Sequence, residues 1–127
     1  MTMKLKVSSK PCEDDPGILY LVEFELEGKT LIKIGVTTRK IEDRMTEILT
    51  SIFKKYREFP YCRPKRFRHT DHVYEKEAIL HKHFKEYNYV PSKKFSGSTE
   101  FFEMELDYAV KVYEDLLDGK DLDSRQE

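Results

Sequence analysis

An acidic side chain stands where a core residue is expected in the stretch 71–87, DHVYEKEAILHKHFKEY, which has the periodicity of an amphipathic helix. Glu77 falls within the apolar face of this helix, whose other members at helical spacing are Val73, Leu80, Phe84 and Tyr87. Burying an unpaired carboxylate costs several kcal/mol, so Glu77 at this position indicates a role other than packing. His81 follows one turn later on the same side and shares its surroundings.

Two further positions have residue types that suit a site, one in a helix and one at the end of a strand. Arg44 lies beside Ile41 and Ile48 at the edge of the apolar stripe of a predicted helix, where an Arg ordinarily extends its charge to water. Gly35 ends a predicted strand, where a residue without a side chain lets a phosphate or another backbone approach. A simple bulge or strand end explains Gly35 equally well.

Basic residues are concentrated in the segment 54–68, where aromatic residues lie between them and Glu58 is the one acid. The seven basic residues are Lys54, Lys55, Arg57, Arg63, Lys65, Arg66 and Arg68. From residue 100 to 127 the balance reverses, with ten acidic residues against three basic ones. This pattern indicates either a basic face opposite an acidic C-terminal end or a charged surface that is merely solvated.

The composition indicates one globular domain. Of the 127 residues 39% are hydrophobic and 37% are charged, with a net charge of -1 and a mean hydropathy of -0.69. Cys12 and Cys62 are too few for a disulfide framework, and no segment reads as a signal peptide or membrane span, so a cytoplasmic setting is expected. The four histidines lack the spacing of a zinc site: His69, His72, His81 and His83.

Two strands joined by a tight turn are expected to open the folded domain, which we place at 17–119. ILYLVEFEL (18–26) and TLIKIGV (30–36) are rich in β-branched and aromatic residues, and the residues 27–29 between them suit a turn. These features predict a β-hairpin. Residues 1–16 are polar and end in EDDP, which indicates a mobile lead-in.

Helices and short strands complete a predicted α/β (α+β) fold, with a small antiparallel sheet of about three strands flanked by about three helices. Pro60 and Pro64 indicate a loop after the first helix. The hairpin is followed by a predicted helix from Arg39 or Lys40 to Tyr56 with Thr38 as N-cap, and then by a short edge strand over 65–69. The Glu77 helix comes next, capped by Thr70 or Asp71, and a strand over 100–104 follows it. A last helix over 106–118 is closed by Gly119, and residues 120–127 form an acidic tail.

This ordered set of residues resembles the GIY-YIG nuclease superfamily, and more closely its phage-type branch, in which the second half-motif is KIG. The first half-motif departs from G-I-Y, because Leu19 intervenes and Tyr20 stands three residues after Gly17. The resemblance covers residues 17 to 104, and its E-F-F is similar to the E-W-F ending of that branch. The matching residues are Tyr20, Lys33, Ile34, Gly35, Thr37, Arg44, Glu77, His81, Glu100, Phe101 and Phe102.

The resemblance implies an endonuclease that hydrolyses DNA phosphodiester bonds with one divalent ion, Mg²⁺ or alternatively Mn²⁺. Glu77 would bind the ion, and Arg44 would hold the scissile phosphate. Tyr20 would take the proton of the attacking water, with Lys33 as the neighbouring cation that favours an ionised phenol. His81 would orient Glu77 or contact the leaving group, while Thr37 would hydrogen-bond a phosphate or a water.

The implied partner is DNA, and no membrane is involved. A core of this size has no separate recognition domain, so sequence specificity would be low or would come from a homodimer or a protein partner. The DNA would approach closely at Gly35, and its phosphates would contact the basic segment at Lys54, Lys55, Arg57, Arg63, Lys65, Arg66 and Arg68.

Two alternatives to an enzyme remain open from the sequence. The same fold would also serve as a catalytically inactive module that binds DNA or inhibits a protein, and the displaced Tyr20 is the feature that favours it. Arg44 and Glu77 would otherwise form one buried ion pair with no metal, in a protein whose role is structural.

Overall fold

The computed structural model describes residues 15–120 and residue 122. Most of the predicted lead-in (1–16) and most of the predicted tail (120–127) therefore lie outside the described residues. The described part confirms a mixed fold of helices around an antiparallel sheet, but the sheet has five strands rather than about three. No helix among the described residues has the length and apolar character that crossing a membrane requires.

The sheet is antiparallel throughout and follows the order β3-β1-β2-β5-β4. The predicted hairpin is confirmed, and its turn has positive φ angles at Glu27 and Gly28, the geometry that suits the twist of a two-residue hairpin. The strands are β1 (Gly17–Leu26), β2 (Lys29–Thr37), β3 (Tyr61–Thr70), β4 (Asn88–Tyr89) and β5 (Phe101–Phe102).

Both faces of the sheet are covered, so the interior strand β1 carries apolar residues on both sides. One face packs against α1 (Ile41–Tyr56), and the other packs against α2 (Val73–His83) and α3 (Leu106–Leu117). Alternate residues of β1 divide between the two cores: Tyr20 and Val22 face α1, whereas Leu19 and Leu21 face α2 and α3.

The strand β3 is twice as long as predicted, and the predicted loop over its first residues is wrong. Pro64 lies opposite Val22 at a register shift, where the strand contains a bulge. Because β3 is an edge strand and a bulge interrupts its pairing, a proline is tolerated there. The bulge makes Lys65 the extra residue between Pro64 and Arg66.

The predicted N-terminal caps of α1 and α2 are wrong. Lys40, not Thr38, precedes α1, and no side chain caps the start of this helix. At α2 the cap position is His72, and the first backbone N–H of the helix bonds to the carbonyl of Asp15 at 3.0 Å. Gly119 after α3 has a φ of 80°, as expected for a helix-ending glycine.

The helix α2 is shorter than predicted and ends at His83, and a single 3-10 turn follows at Lys85–Tyr87. Tyr87 is therefore not a core residue, and 36% of it is exposed. The two-residue strand β4 follows in a segment predicted as helix end and loop. Cys62 is a free thiol, and Cys12 lies outside the described residues.

The carboxylate of Glu27 ties the hairpin turn to two distant segments. It accepts hydrogen bonds from the hydroxyls of Tyr56 and Tyr89 and from the backbone N–H and hydroxyl of Ser92. Partial burial acts to raise its pKa, but these hydrogen bonds outweigh burial and lower the pKa of Glu27 to about 2. The loop after β4 is thus held in place at the end of the sheet.

We expect Glu27→Ala to lower the free energy of unfolding by about 2 kcal/mol, because hydrogen bonds to a charged acceptor are lost together. Urea unfolding measures the change, and Glu25→Ala is the matched control, since Glu25 is an exposed residue of the same hairpin. Equal unfolding midpoints for the two variants would contradict this assignment.

Candidate active site

The strand β5 covers only part of the edge of β2, and beyond β5 side chains of α2 reach toward the α1 side of the sheet. The strand β5 pairs only with Ile32 and Lys33, so the rest of β2 extends beyond it. There the carbonyl of Ile34 accepts the Nε2–H of His81 at 2.8 Å. Glu77, one turn before His81, consequently lies close to side chains on the α1 side of the sheet.

Tyr20 and Gly35 are direct partners across β1 and β2. A Cβ on Gly35 would lie 2.6 Å from Cζ of Tyr20 and closer still to its hydroxyl. The phenol ring therefore occupies the space that a side chain at position 35 would need. Lys33 pairs with Val22 and is a diagonal neighbour of Tyr20, with Nζ 5.5 Å from the centre of the phenol ring.

Arg44 is held against the site rather than extended into water. Its Nε donates to the Tyr20 hydroxyl at 3.4 Å, and its Nη1 donates to Glu47 at 2.5 Å and to the Ser96 hydroxyl at 3.1 Å. Only 17% of the Arg44 side chain is exposed. Its ion-pair partner in the described structure is Glu47, not Glu77, so the predicted alternative of an Arg44 and Glu77 pair is wrong.

Lys33 is fully buried, although its position in a strand alone favours a surface residue. Its Nζ donates to the Glu100 carboxylate, which approaches from the residue before β5. Glu100 is the first residue of the E-F-F motif, but the sequence analysis does not predict it as a site residue. Its place at the head of that motif was the available signal.

Glu77 and Glu100 form a crowded pair of carboxylates beside Lys33. The side chain of Glu77 is 18% exposed, and desolvation by burial together with the charge of Glu100 raises the pKa of Glu77 to about 7. Lys33 and Arg44 act in the opposite direction without cancelling the effect. Burial is therefore the main reason that the ionised form of Glu77 is disfavoured, and the neighbouring Glu100 adds to it.

The segment before β5 contributes two further residues that sequence reasoning missed. Gly97 has a φ of 80°, and a Cβ there would lie 2.6 Å from Nζ of Lys33. Ser96 accepts the hydrogen bond from Arg44, and its own N–H is bonded to the Ser51 hydroxyl at 2.8 Å. A glycine is needed at position 97 because the backbone passes directly over the buried ammonium group.

Two predicted site residues face the protein interior. Nε2 of His81 is engaged by the Ile34 carbonyl and lies 3.8 Å from the nearer oxygen of Glu77, so His81 anchors α2 beside the site. Thr37 is buried, and its hydroxyl accepts the N–H of Arg39.

The structure does not gather the predicted basic residues around the site. Lys54 and Lys55 lie in the last turn of α1, about 15 Å along the helix from Arg44, where their charge suits the helix dipole. Arg57 follows α1, and Arg63 lies over the ring of Tyr61. Three others are paired with acids: Lys65 with Glu23 at 3.7 Å, Arg66 with Glu114 at 2.6 Å and Arg68 with Asp118 at 3.5 Å.

The described residues contain no group of three or more His, Cys, Asp or Glu side chains that would hold a metal ion by themselves. A cation in this site would therefore bind to the two carboxylates of Glu77 and Glu100 and complete its shell from water or substrate. Mg²⁺ is usually bound in this way.

We expect Glu77 to make stability depend on pH in metal-free buffer. Its pKa rises from 4.5 to about 7 on folding, so its favourable contribution is present below about pH 4.5 and is lost as pH rises through 7. Glu77→Gln mimics the protonated form, so its melting temperature should exceed that of the wild type by a margin that grows between pH 5 and 8. Thermal unfolding across this range is the test, and a constant margin would contradict it.

One family model matches most of the chain: the T5orf172 domain, over residues 17–117. No curated protein and no solved structure matches the chain.

Proposed function

The chain belongs to the T5orf172 domain family, and on that premise we propose that it is a metal-dependent endonuclease of GIY-YIG type that hydrolyses DNA phosphodiester bonds. The observation that supports this most is the convergence of five side chains from separate parts of the sequence on one region of the sheet. They are Tyr20, Lys33, Arg44, Glu77 and Glu100.

The two carboxylates fit a divalent ion. Burial and the charge of Glu100 together raise the pKa of Glu77, and a cation bound between the two carboxylates would stabilise their ionised forms. Mg²⁺, or alternatively Mn²⁺, would bind here through both carboxylates. When bound, such an ion would stabilise the negative charge that develops on the phosphoryl oxygens.

The remaining residues supply positioning and proton transfer. Arg44 would bind the scissile phosphate through its guanidinium group, with the phosphate replacing the exposed Glu47 as its anionic partner. The Tyr20 hydroxyl, next to Nε of Arg44, would take the proton of the attacking water. Lys33 holds Glu100 in place, and His81 fixes the helix that carries Glu77.

A non-catalytic module that binds DNA or inhibits a protein is the rival function. The sequence feature that favours it is the displaced first half-motif, since a tyrosine out of register would point away from the site. The contacts of Tyr20 with Arg44 and Gly35 favour the nuclease over this rival.

Supercoiled plasmid is the first substrate to test. The proposal expects nicking or linearisation with Mg²⁺ or Mn²⁺ and none in EDTA. A folded protein that binds DNA and cuts none of several forms with either ion would favour the rival. Cleavage specificity is a separate question, since we propose that a homodimer or a protein partner provides it.

We expect Arg44→Lys to lower the cleavage rate by about a hundredfold, because a lysine keeps the charge but cannot bind a phosphate through two parallel hydrogen bonds. Arg39→Lys is the matched control, since Arg39 pairs with the same Glu47 at 2.9 Å and is 55% exposed. Plasmid cleavage under single-turnover conditions measures both. Similar cleavage rates for the two variants would show that Arg44 does not bind the scissile phosphate.

A further inference from the structure

An exposed phenylalanine lies next to the candidate site. Phe67 of the edge strand β3 is the direct partner of Tyr20, which is in turn the direct partner of Gly35. Directly opposed residues of an antiparallel sheet point to the same face, so Phe67 stands beside Tyr20 on the side of the sheet that carries the site. Phe67 is 54% exposed, whereas Tyr20 is fully buried.

Phe67 differs from the other exposed aromatic side chains nearby. Phe59 is 63% exposed, but its ring stacks on Phe53 with ring centres 4.6 Å apart. Tyr61 is 43% exposed, and the guanidinium of Arg63 lies 5.7 Å from its ring centre. Phe67 thus presents an open aromatic surface in the same cross-strand row as the tyrosine.

We propose that Phe67 is a stacking platform for an unpaired nucleobase next to the scissile phosphate. Neighbouring strands are about 4.8 Å apart and the Tyr20 hydroxyl lies over Gly35 of β2, so a phosphate held by Arg44 beside it is about two strand spacings from β3, and the base of an adjacent nucleotide spans that distance to Phe67. A base within a duplex is already stacked and paired, whereas an unpaired base has a free face for an aromatic side chain. This inference rests on the proposed function and names its substrate class: DNA with an unpaired nucleotide at the cut site, as in single strands or flaps.

The charge of β3 favours a nucleic acid over a second copy of the chain. Pairing two β3 edges would bring together strands that each contain Lys65, Arg66 and Arg68, and like charges across a sheet are destabilising. Arg66 and Arg68 alternate with Phe67 along β3 and therefore lie on the opposite face of the sheet, where they pair with Glu114 and Asp118, so they take no part in holding this nucleotide.

The test measures binding in the absence of divalent ions, so that cleavage does not interfere. The full chain is titrated onto a short single-stranded oligonucleotide containing 2-aminopurine and onto the duplex of the same sequence. We expect Phe67→Ala to weaken single-strand binding about tenfold and to reduce the change in 2-aminopurine fluorescence, with duplex binding unchanged. Phe67→Trp should retain both signals, and Phe59→Ala is the matched control.

Three results would overturn the inference: single-strand binding unaffected by Phe67→Ala, equal losses on single strand and duplex, or a change confined to self-association in sedimentation. Circular dichroism checks that each variant is folded. Cleavage is scored separately with Mg²⁺. A wild type that stacks the base but never cuts would refute the hydrolysis alone, whereas cutting with a neutral Phe67→Ala would refute the stacking alone.

Discussion

Glu77→Gln is expected to reduce DNA cleavage on the order of a thousandfold or more while the protein remains folded. The change preserves the shape of the side chain and removes the negative charge that would bind the divalent ion, so several kcal/mol of transition-state stabilisation would be lost. Single-turnover cleavage of plasmid with saturating Mg²⁺ measures the effect.

The melting temperature of Glu77→Gln shows whether a loss of cleavage comes from the missing carboxylate or from unfolding. Because the pKa of Glu77 is raised, a neutral side chain there should stabilise the protein near pH 8, so a loss of cutting would coincide with a gain in melting temperature. Glu75→Gln is the matched control, since Glu75 lies on the same helix with 55% of its side chain exposed. Retained cutting by Glu77→Gln would place the metal elsewhere.

The elements that were predicted correctly are those whose residues follow a regular local pattern. The hairpin, α1 and α3 follow from alternation, helical periodicity and the glycine after α3. Glu77 was found because it violates the pattern of its own helix. Pro64 misled the prediction because a proline usually ends a strand, and nothing local to it reveals the bulge on the edge of the sheet.

The site residues that sequence reasoning missed depend on contacts between distant segments. Glu100 belongs to the site because it pairs with Lys33, Ser96 because it accepts a hydrogen bond from Arg44, and Gly97 because its backbone passes over the Lys33 ammonium group. The seven basic residues of the segment 54–68 were predicted as one DNA-binding surface, but three lie at the end of α1 and four along β3, where Lys65, Arg66 and Arg68 are paired with acids. Composition counts charges without showing which of them are already paired.

Gly35→Ala is expected to destabilise the protein by about 2 kcal/mol and to abolish cleavage. The new methyl group would overlap the ring of Tyr20, and overpacking of this kind forces side chains from their preferred positions. Displacement of the phenol would break its contact with Arg44. Urea unfolding and plasmid cleavage measure the two effects.

A double-mutant cycle tests whether the destabilisation by Gly35→Ala arises from its contact with the Tyr20 ring. In a Tyr20→Ala background the ring is absent and the nearest neighbour left to the new Cβ is a Glu100 carboxylate oxygen at 3.0 Å, the end of a flexible side chain, so adding Gly35→Ala should cost much less than it does in the wild type. Gly28→Ala provides the second control: its φ of 76° makes an alanine strained, and no atom lies within 4 Å of the new Cβ. It should therefore lower stability without stopping cleavage. Equal costs of Gly35→Ala with and without the Tyr20 ring would show that the glycine is required for some other reason than the tyrosine it faces.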